Sequence, residues 1–357
     1  MRKSPINGES KKKKKVLVTG ATGFIGVRLI HFLCSQGLEV RALCRSTSDI
    51  SVFSNNPVQI FWGDVVDLPS VERAVDGCDY VFHLASYAKN WAKNPRAFYE
   101  VNVIGTKNVL IASKKGEVKK VVLTSSSVTF STSNDKPKKE SDPRTADFYC
   151  EYERTKFYAE QLASDYVRSG LPVVIVNPAR VFGPGLLTEA NSVTKMIHLY
   201  LQGKWRLILA DGHALGNYVF VEDIVRGLWL ALKQGRPGKK YILGGENLSL
   251  NMFFRLLEEA SSRHYRMIHV PLWMALAFSK VAILLAKWFG LYPLITPDWV
   301  RVFVADWAFS SEKAKKELGY SITPFREALH KTLLWLNQTA VKPGRFYDET
   351  TLKYSRS

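Results

Sequence analysis

Acidic residues are scarce in this chain: 32 Asp and Glu stand against 50 Lys and Arg in 357 residues, a formal net charge of +18. Such an imbalance points to nucleic acid or an anionic membrane surface as a partner without choosing between them. Cysteine is scarce too. Cys34, Cys44, Cys78 and Cys150 form no C-x-x-C pair and no cluster with His. That excludes a disulfide scaffold, gives no reason to expect a metal site, and favours a reduced, cytosolic setting. With 23 Gly and 15 Pro, collagen-like and low-complexity readings are excluded as well. No basic helix interleaved with aromatics and no zinc-finger spacing occurs, so nucleic acid is not an expected partner. What remains is 46% hydrophobic and 23% charged, enough for one large or two unequal domains.

Arg2, Lys3 and Lys11 to Lys15, against the single acid Glu9, put a third of the net charge into residues 1–15. With no apolar core this segment does not read as a signal peptide. It reads as a solvated, disordered tail, with a membrane or polyanion role as the alternative. A second tail is expected at 339–357.

The chain then changes character. Val16-Leu-Val-Thr19 is a short strand, Gly20-Ala-Thr-Gly23-Phe-Ile-Gly26 a glycine turn, and Leu29, Ile30, Phe32 and Leu33 recur at helical spacing until Gly37. Gly20 suits a tight turn, Gly23 lets backbone approach a pyrophosphate, and Gly26 lets the helix pack closely. Phosphates would rest on the helix N-terminus, where unpaired N–H groups and the dipole favour anions. The spacing is G-x-x-G-x-x-G, not the commonest dinucleotide fingerprint, so the strand-to-helix context carries the argument.

A second strand, Glu39–Cys44, ends at Arg45, where an NAD site usually places an acid for the ribose 2′-OH. A guanidinium there suits a 2′-phosphate and favours NADP. The alternative is NAD, with Asp49 serving the ribose. Strands Val58–Trp62, Tyr80–Leu84, Lys120–Thr124 and Val173–Val176 follow, alternating with helices, and predict a doubly wound parallel α/β sheet. Asp64, after the third, could accept a hydrogen bond from an adenine amine. Ala85 and Ser86, after the fourth, are small enough for a cofactor to lie close. His83 reads as a packed strand-end histidine rather than a ligand.

Thr124-Ser125-Ser126-Ser127 places hydroxyls at the carboxyl edge of the fifth strand. Tyr152-Glu-Arg-Thr-Lys156 opens a helix running to about Arg168, and i, i+4 spacing puts phenol and ammonium on one face. A lysine cation beside a tyrosine would draw its pKa down from about 10 towards the range of acid–base catalysis. Tyr200 and Lys204 repeat the spacing but include Gly203 and follow no serine cluster. Tyr149 has Glu153 at i+4 and cannot play the part.

Together these segments resemble the extended short-chain dehydrogenases/reductases, also called the NAD-dependent epimerase/dehydratase family. The resemblance covers about residues 15–338. It rests on Thr19–Gly26, Gly63-Asp64, His83–Ala85, Asn102-Val-Ile-Gly-Thr106, Thr124–Ser126, Tyr152 with Lys156, Asn177–Gly185 and Tyr218–Asp223. It implies that Tyr152 is the general acid/base, that Lys156 binds the nicotinamide ribose and tunes Tyr152, and that a serine holds the substrate oxygen. The aligned serine is Ser126, with Ser127 next, and the Tyr-Gly that often follows is Phe130-Ser131 here. Expected cofactor contacts are Gly20, Thr22, Gly23, Phe24, Ile25, Gly26, Arg45, Asp64, Val65, Leu84, Ala85, Ser86, Thr124, Tyr152, Lys156, Pro178 and Val181.

Residues 16–177 plus about 218–243 would form the NADP-binding Rossmann domain. About 178–217 plus 244–338 would form a smaller, mainly helical substrate domain. The resemblance also implies a homodimer through helices near 97–114 and 152–168.

The Asp-Glu pair of sugar-nucleotide dehydratases is replaced by Val128-Thr129 after Ser127, which argues against dehydration. Tyr241–Leu248 and Lys313–Tyr320 resemble the dihydroflavonol-reductase-like and 3β-hydroxysteroid-dehydrogenase-like branch. That implies oxidation or reduction of a secondary alcohol or ketone on a lipophilic sterol-, isoprenoid- or flavonoid-like skeleton. A nucleotide-sugar epimerase is the alternative, and a catalytically silent redox sensor or nucleic-acid binder the third reading. From Val270 to Ile295 the chain is almost wholly apolar, interrupted by Lys280 and Lys287. Those charges and Pro271 argue against a membrane span. The segment reads as a helix over the substrate cleft or in a dimer contact, or as a peripheral element lying on a bilayer.

Overall fold

Aliphatic and β-branched runs form the first half of the sheet in this computed structural model. It describes residues 13–89, 91–133, 136–289, 293 and 295–340. In chain order come β1 (Lys15–Thr19), α1 (Phe24–Ser35), β2 (Glu39–Cys44), β3 (Val58–Trp62), α2 (Leu68–Val75) and β4 (Tyr80–His83). Next are α3 (Arg96–Tyr99), a π-helical turn into α4 (Gly105–Lys115), β5 (Lys120–Thr124), α5 (Glu151–Arg168) and β6 (Val173–Pro178). The second half holds β7 (Arg180–Phe182), α6 (Ser192–Leu201), β8 (Leu207–Leu209), β9 (Leu215–Phe220), α7 (Val221–Gln234) and β10 (Lys240–Leu243). It ends with β11 (Glu246–Ser249), α8 (Leu250–Ser261), β12 (Ile268–Val270), α9 (Leu272–Phe289), α10 (Pro297–Val304), α11 (Glu312–Leu318) and α12 (Phe325–Ala340). The expected tails lie outside the described residues except at their inner ends, where Lys15 already belongs to β1 and α12 reaches Ala340.

Seven parallel strands run β10-β6-β5-β4-β1-β2-β3, as the doubly wound reading expects. Both faces are covered, so strand residues are buried irrespective of alternation. Val16 and Val18 face α1, α7 and α11, whereas Leu17 faces the layer of α2, α4 and α5. The order reverses between β1 and β4, and ligands of such sheets bind in the crevice at the carboxyl ends there. A second core joins β7 and β9 to α6, α8 and α12 around Phe182, Ile197, Tyr200, Phe253 and Phe325. The three-stranded sheet β11-β9-β7 bridges the two cores.

Candidate active site

The β1–α1 loop is shaped by its glycines. Gly20 has φ +68°, and a Cβ there would lie 2.6 Å from the Ala85 nitrogen. Gly23 caps α1 with no side-chain hydrogen bond, and the first turn holds no acid. Its amides are therefore left to an anion. At Gly26 a Cβ would run into the Gly20 and Ala21 carbonyls. The close packing it permits is thus of helix on loop rather than helix on strand.

A cleft of about 660 Å³ opens beside this loop, and every residue expected above to bind cofactor or act in catalysis lines it. Arg45 lines it with Ser48, stands exposed and forms no ion pair among the described residues. Asp49 does not line the cleft; its carboxylate accepts the Ser51 N–H at 2.9 Å. Thr124 Oγ1 and Ser125 Oγ are buried in the cleft wall without partners among the described residues. Glycine backbone, open helix amides and unsatisfied hydroxyls together fit a dinucleotide.

His83 is packed, as expected: Thr19 Oγ1 lies 2.7 Å from Nδ1 and Thr106 Oγ1 3.0 Å from Nε2. Complete burial lowers its pKa to about 3, so it stays neutral.

Tyr152 sits in the first turn of α5. Glu153 holds that turn in place, accepting the Tyr149 N–H at 3.1 Å and pairing with Arg144 at 3.1 Å. The Tyr152 phenol faces the Ser126 and Ser86 hydroxyls, so hydroxyl and phenol share one cleft. The expected electrostatics do not hold. Burial pushes the Tyr152 pKa up to about 12, against the lowering effect of those two hydroxyls. Lys156, also buried, falls to about 8, and its ammonium donates to the Thr124 carbonyl at 2.8 Å. Helical spacing put both residues in the cleft, but desolvation dominates both shifts, and Lys156 is not among the causes acting on Tyr152.

Beneath Lys156 lies a lock that the spacing did not reveal. Buried Glu160 accepts Thr129 Oγ1 at 2.9 Å, Asn177 Nδ2 at 2.6 Å and Lys240 Nζ at 2.5 Å, and its charge raises the Lys156 pKa. Glu160→Ala removes the acceptor shared by three donors, of which Thr129 and Asn177 keep the Ser126 carbonyl, and a denaturant titration should show a loss of about 1–3 kcal/mol. Asn102, quoted above only as part of a family motif, also has a role that the sequence did not state. Its Oδ1 accepts Ser86 Oγ at 3.0 Å and the Tyr87 N–H at 2.7 Å, while Nδ2 donates to Thr155 at 3.0 Å. It ties the β4 loop to α5 and so fixes Ser86 against Tyr152.

Comparison with known proteins agrees with this geometry. Residues 16–244 match the model of the NAD dependent epimerase/dehydratase family. The chain belongs to that family. It is 30% identical over 324 residues to a putative dihydroflavonol 4-reductase of Synechocystis sp., covering 89% of this chain and 93% of that protein. It is 30% identical to the decarboxylating sterol-4-alpha-carboxylate 3-dehydrogenase of Mus musculus, with 92% of each covered. To cinnamoyl-CoA reductase 2 of Medicago truncatula it is 32% identical, covering 92% and 93%. Among solved structures, gox2253 superposes with TM-score 0.77 at 30% identity over 92% of this chain and 99% of that one. The chain is an NAD(P)-dependent oxidoreductase of the extended short-chain dehydrogenase/reductase type.

Two departures from the family pattern now have physical form. Ser131, where glycine often stands, takes φ +53°, and its Oγ accepts the Ala146 N–H at 3.2 Å. A non-glycine residue there costs about 1 kcal/mol. Phe130 replaces tyrosine and packs against Ile242, Trp307 and Phe309. The repeated spacing at Tyr200, set aside above, turns out to lie in the core: its hydroxyl donates to the Arg263 carbonyl at 2.8 Å. The cleft is also lined by Val128, Cys150, Val193, Trp299, Val302 and Phe303, with Arg180 and Asp298 among its charged members. Trp299 and Phe303 stack at 4.0 Å, and the Arg180 guanidinium lies 4.6 Å over Phe303. The α10 residues were not expected from sequence, since nothing near them in the chain carries a motif.

Proposed function

We propose that this enzyme uses NADP(H) to interconvert a secondary alcohol and a ketone on a lipophilic substrate. The observation that carries the reading is that the Ser126 and Tyr152 hydroxyls face one another in a cleft that the Trp299–Phe303 stack also lines. A bound nicotinamide would supply or take the hydride. The loop from Gly20 to Gly26 would hold the pyrophosphate, Asp64 and Val65 the adenine end, and Pro178 and Val181 the nicotinamide side.

In the reductive direction the Tyr152 phenol gives its proton to the forming alkoxide, while Ser126 donates a hydrogen bond to the same oxygen. Lys156, charged below about pH 8, tunes the phenol electrostatically and holds Thr124 in place. The relatives' names speak of flavonoid, sterol and cinnamoyl substrates, which accords with an aromatic wall. In the same proposal the enzyme is a homodimer through α4 and α5, near which Tyr99 and Tyr158 are exposed.

A panel of sterols, dihydroflavonols and sugar nucleotides, followed by NADPH absorbance, tests the substrate class. Turnover of sugar nucleotides alone would favour an epimerase instead.

Arg45 decides the cofactor. Loss of a charge-assisted contact is worth about 10–100-fold in affinity. Arg45→Asp should therefore raise the NADPH KM by about that factor and leave or lower the NADH KM. Equal affinity for the two cofactors, unchanged in the variant, would refute the choice of NADP.

A further inference from the structure

Helix α9 reverses the usual arrangement of a surface helix. Ala275, Ser279 and Ala286, small side chains at i, i+4 and i+11, form its buried stripe. Its large apolar residues face outward instead: Trp273 is 71% exposed, Phe278 59% and Trp288 72%, with Leu272, Val281 and Leu284 also exposed. A helix that only covered a core would bury the large side chains and show polar ones. The patch continues into the strand before α9, where Ile268 pairs with Leu207 and both are exposed.

Charge points to the occupant. From Ala260 to Pro297 the sequence contains no Asp or Glu, but it holds Arg263, Arg266, Lys280 and Lys287. The side chains of Arg263, Arg266 and Lys280 are exposed, as is Arg206 beside Leu207. A second copy of this face would bring like charge against like charge, which costs affinity. An anionic lipid surface complements it, offering acyl chains to the aromatic ridge and headgroups to the basic rim. Tryptophans near both ends of an 18-residue helix match the interfacial preference of indole. No described helix is long and apolar enough to cross a membrane, so α9 would lie in the plane of the interface.

We infer that α9, with the β8–β12 edge, docks the enzyme onto anionic bilayers. Helix α9 packs on α10, whose Trp299 and Phe303 line the cleft, so docking sets the cleft beside the lipid phase. The docking itself stands independently of the proposed substrate.

The test is flotation of the full chain with phosphatidylcholine vesicles containing about 30% phosphatidylserine, and with phosphatidylcholine alone. The wild type should float with the anionic vesicles, less at about 0.5 M salt. Phe278→Glu with Trp288→Glu should cut the bound fraction by about tenfold or more, leaving melting temperature and turnover in solution unchanged. Lys280→Glu should weaken binding only to the anionic vesicles. Undiminished flotation of the double variant would overturn the inference by placing binding elsewhere, such as in the basic N-terminal segment. A wild type that binds no vesicles would overturn it too, as would self-association in sedimentation velocity that the double variant abolishes in place of lipid binding.

Discussion

Tyr152→Phe should lower kcat by about 10³–10⁴-fold in either direction while leaving NADPH affinity within about twofold. In the proposed mechanism the phenol passes a proton at the substrate oxygen, and phenylalanine keeps the ring but loses the acid. The two directions should respond differently to pH. With a pKa pushed up to about 12 by burial, Tyr152 carries its proton throughout the neutral range. Reduction needs that protonated form and should be nearly flat between about pH 6 and 8. Oxidation needs the phenolate and should rise by about tenfold per pH unit. Above about pH 8 the buried Lys156 loses its charge, which removes stabilisation of the phenolate and flattens the rise. Steady-state kinetics of the variant, and pH profiles of the wild type in both directions, check these expectations. A Phe variant that kept about a tenth of wild-type turnover would show that the proton travels through Ser126 or water.

Much of this site could be read from the chain because its parts are short-range patterns. A β-branched strand, three glycines and a helix state their own geometry within about twenty residues, and so do Thr124–Ser127 and Tyr152 with Lys156. Those segments also name the family, so their arrival in one cleft was foreseeable. The electrostatics were less legible. An i, i+4 spacing tells that Tyr152 and Lys156 share a helix face. It does not tell that both are buried, nor that the Thr124 carbonyl engages the ammonium at 2.8 Å. Glu160, the α10 wall and the role of Asn102 escaped notice for a related reason. Their roles come from partners distant in sequence, 15 to 53 residues for Asn102 and 17 to 80 for Glu160, and local spacing does not state those contacts. For the apolar run of α9, composition left a cleft cover, a dimer contact and a bilayer surface open. Only the orientation of the helix, with Ala275 and Ala286 inward and both tryptophans outward, separates a surface from a core.

The glycine loop offers the other large effect, and it turns on which glycine is changed. At Gly26 a Cβ would meet the Gly20 and Ala21 carbonyls and lie 2.9 Å from the Ala21 carbonyl carbon, all backbone atoms with nowhere to rotate. The loop must open to admit it, and the α1 amides then no longer line up on a pyrophosphate. Gly26→Ala should cost about 1–3 kcal/mol of stability and weaken dinucleotide binding by about 100-fold. Gly23 differs. Its Cβ would meet only the Gly20 carbonyl oxygen, at 3.1 Å, and its φ of −80° suits any residue. In the protein alone Gly23→Ala should therefore be nearly neutral in stability. Any loss of binding in that variant must come from a methyl group placed against the cofactor itself. Melting curves and NADPH fluorescence titrations on the two variants separate the cases. Stability falls with affinity for Gly26→Ala, whereas affinity alone falls for Gly23→Ala. If Gly23→Ala bound NADPH as tightly as the wild type, the pyrophosphate would not lie over that backbone, and its assignment to the α1 N-terminus would fail.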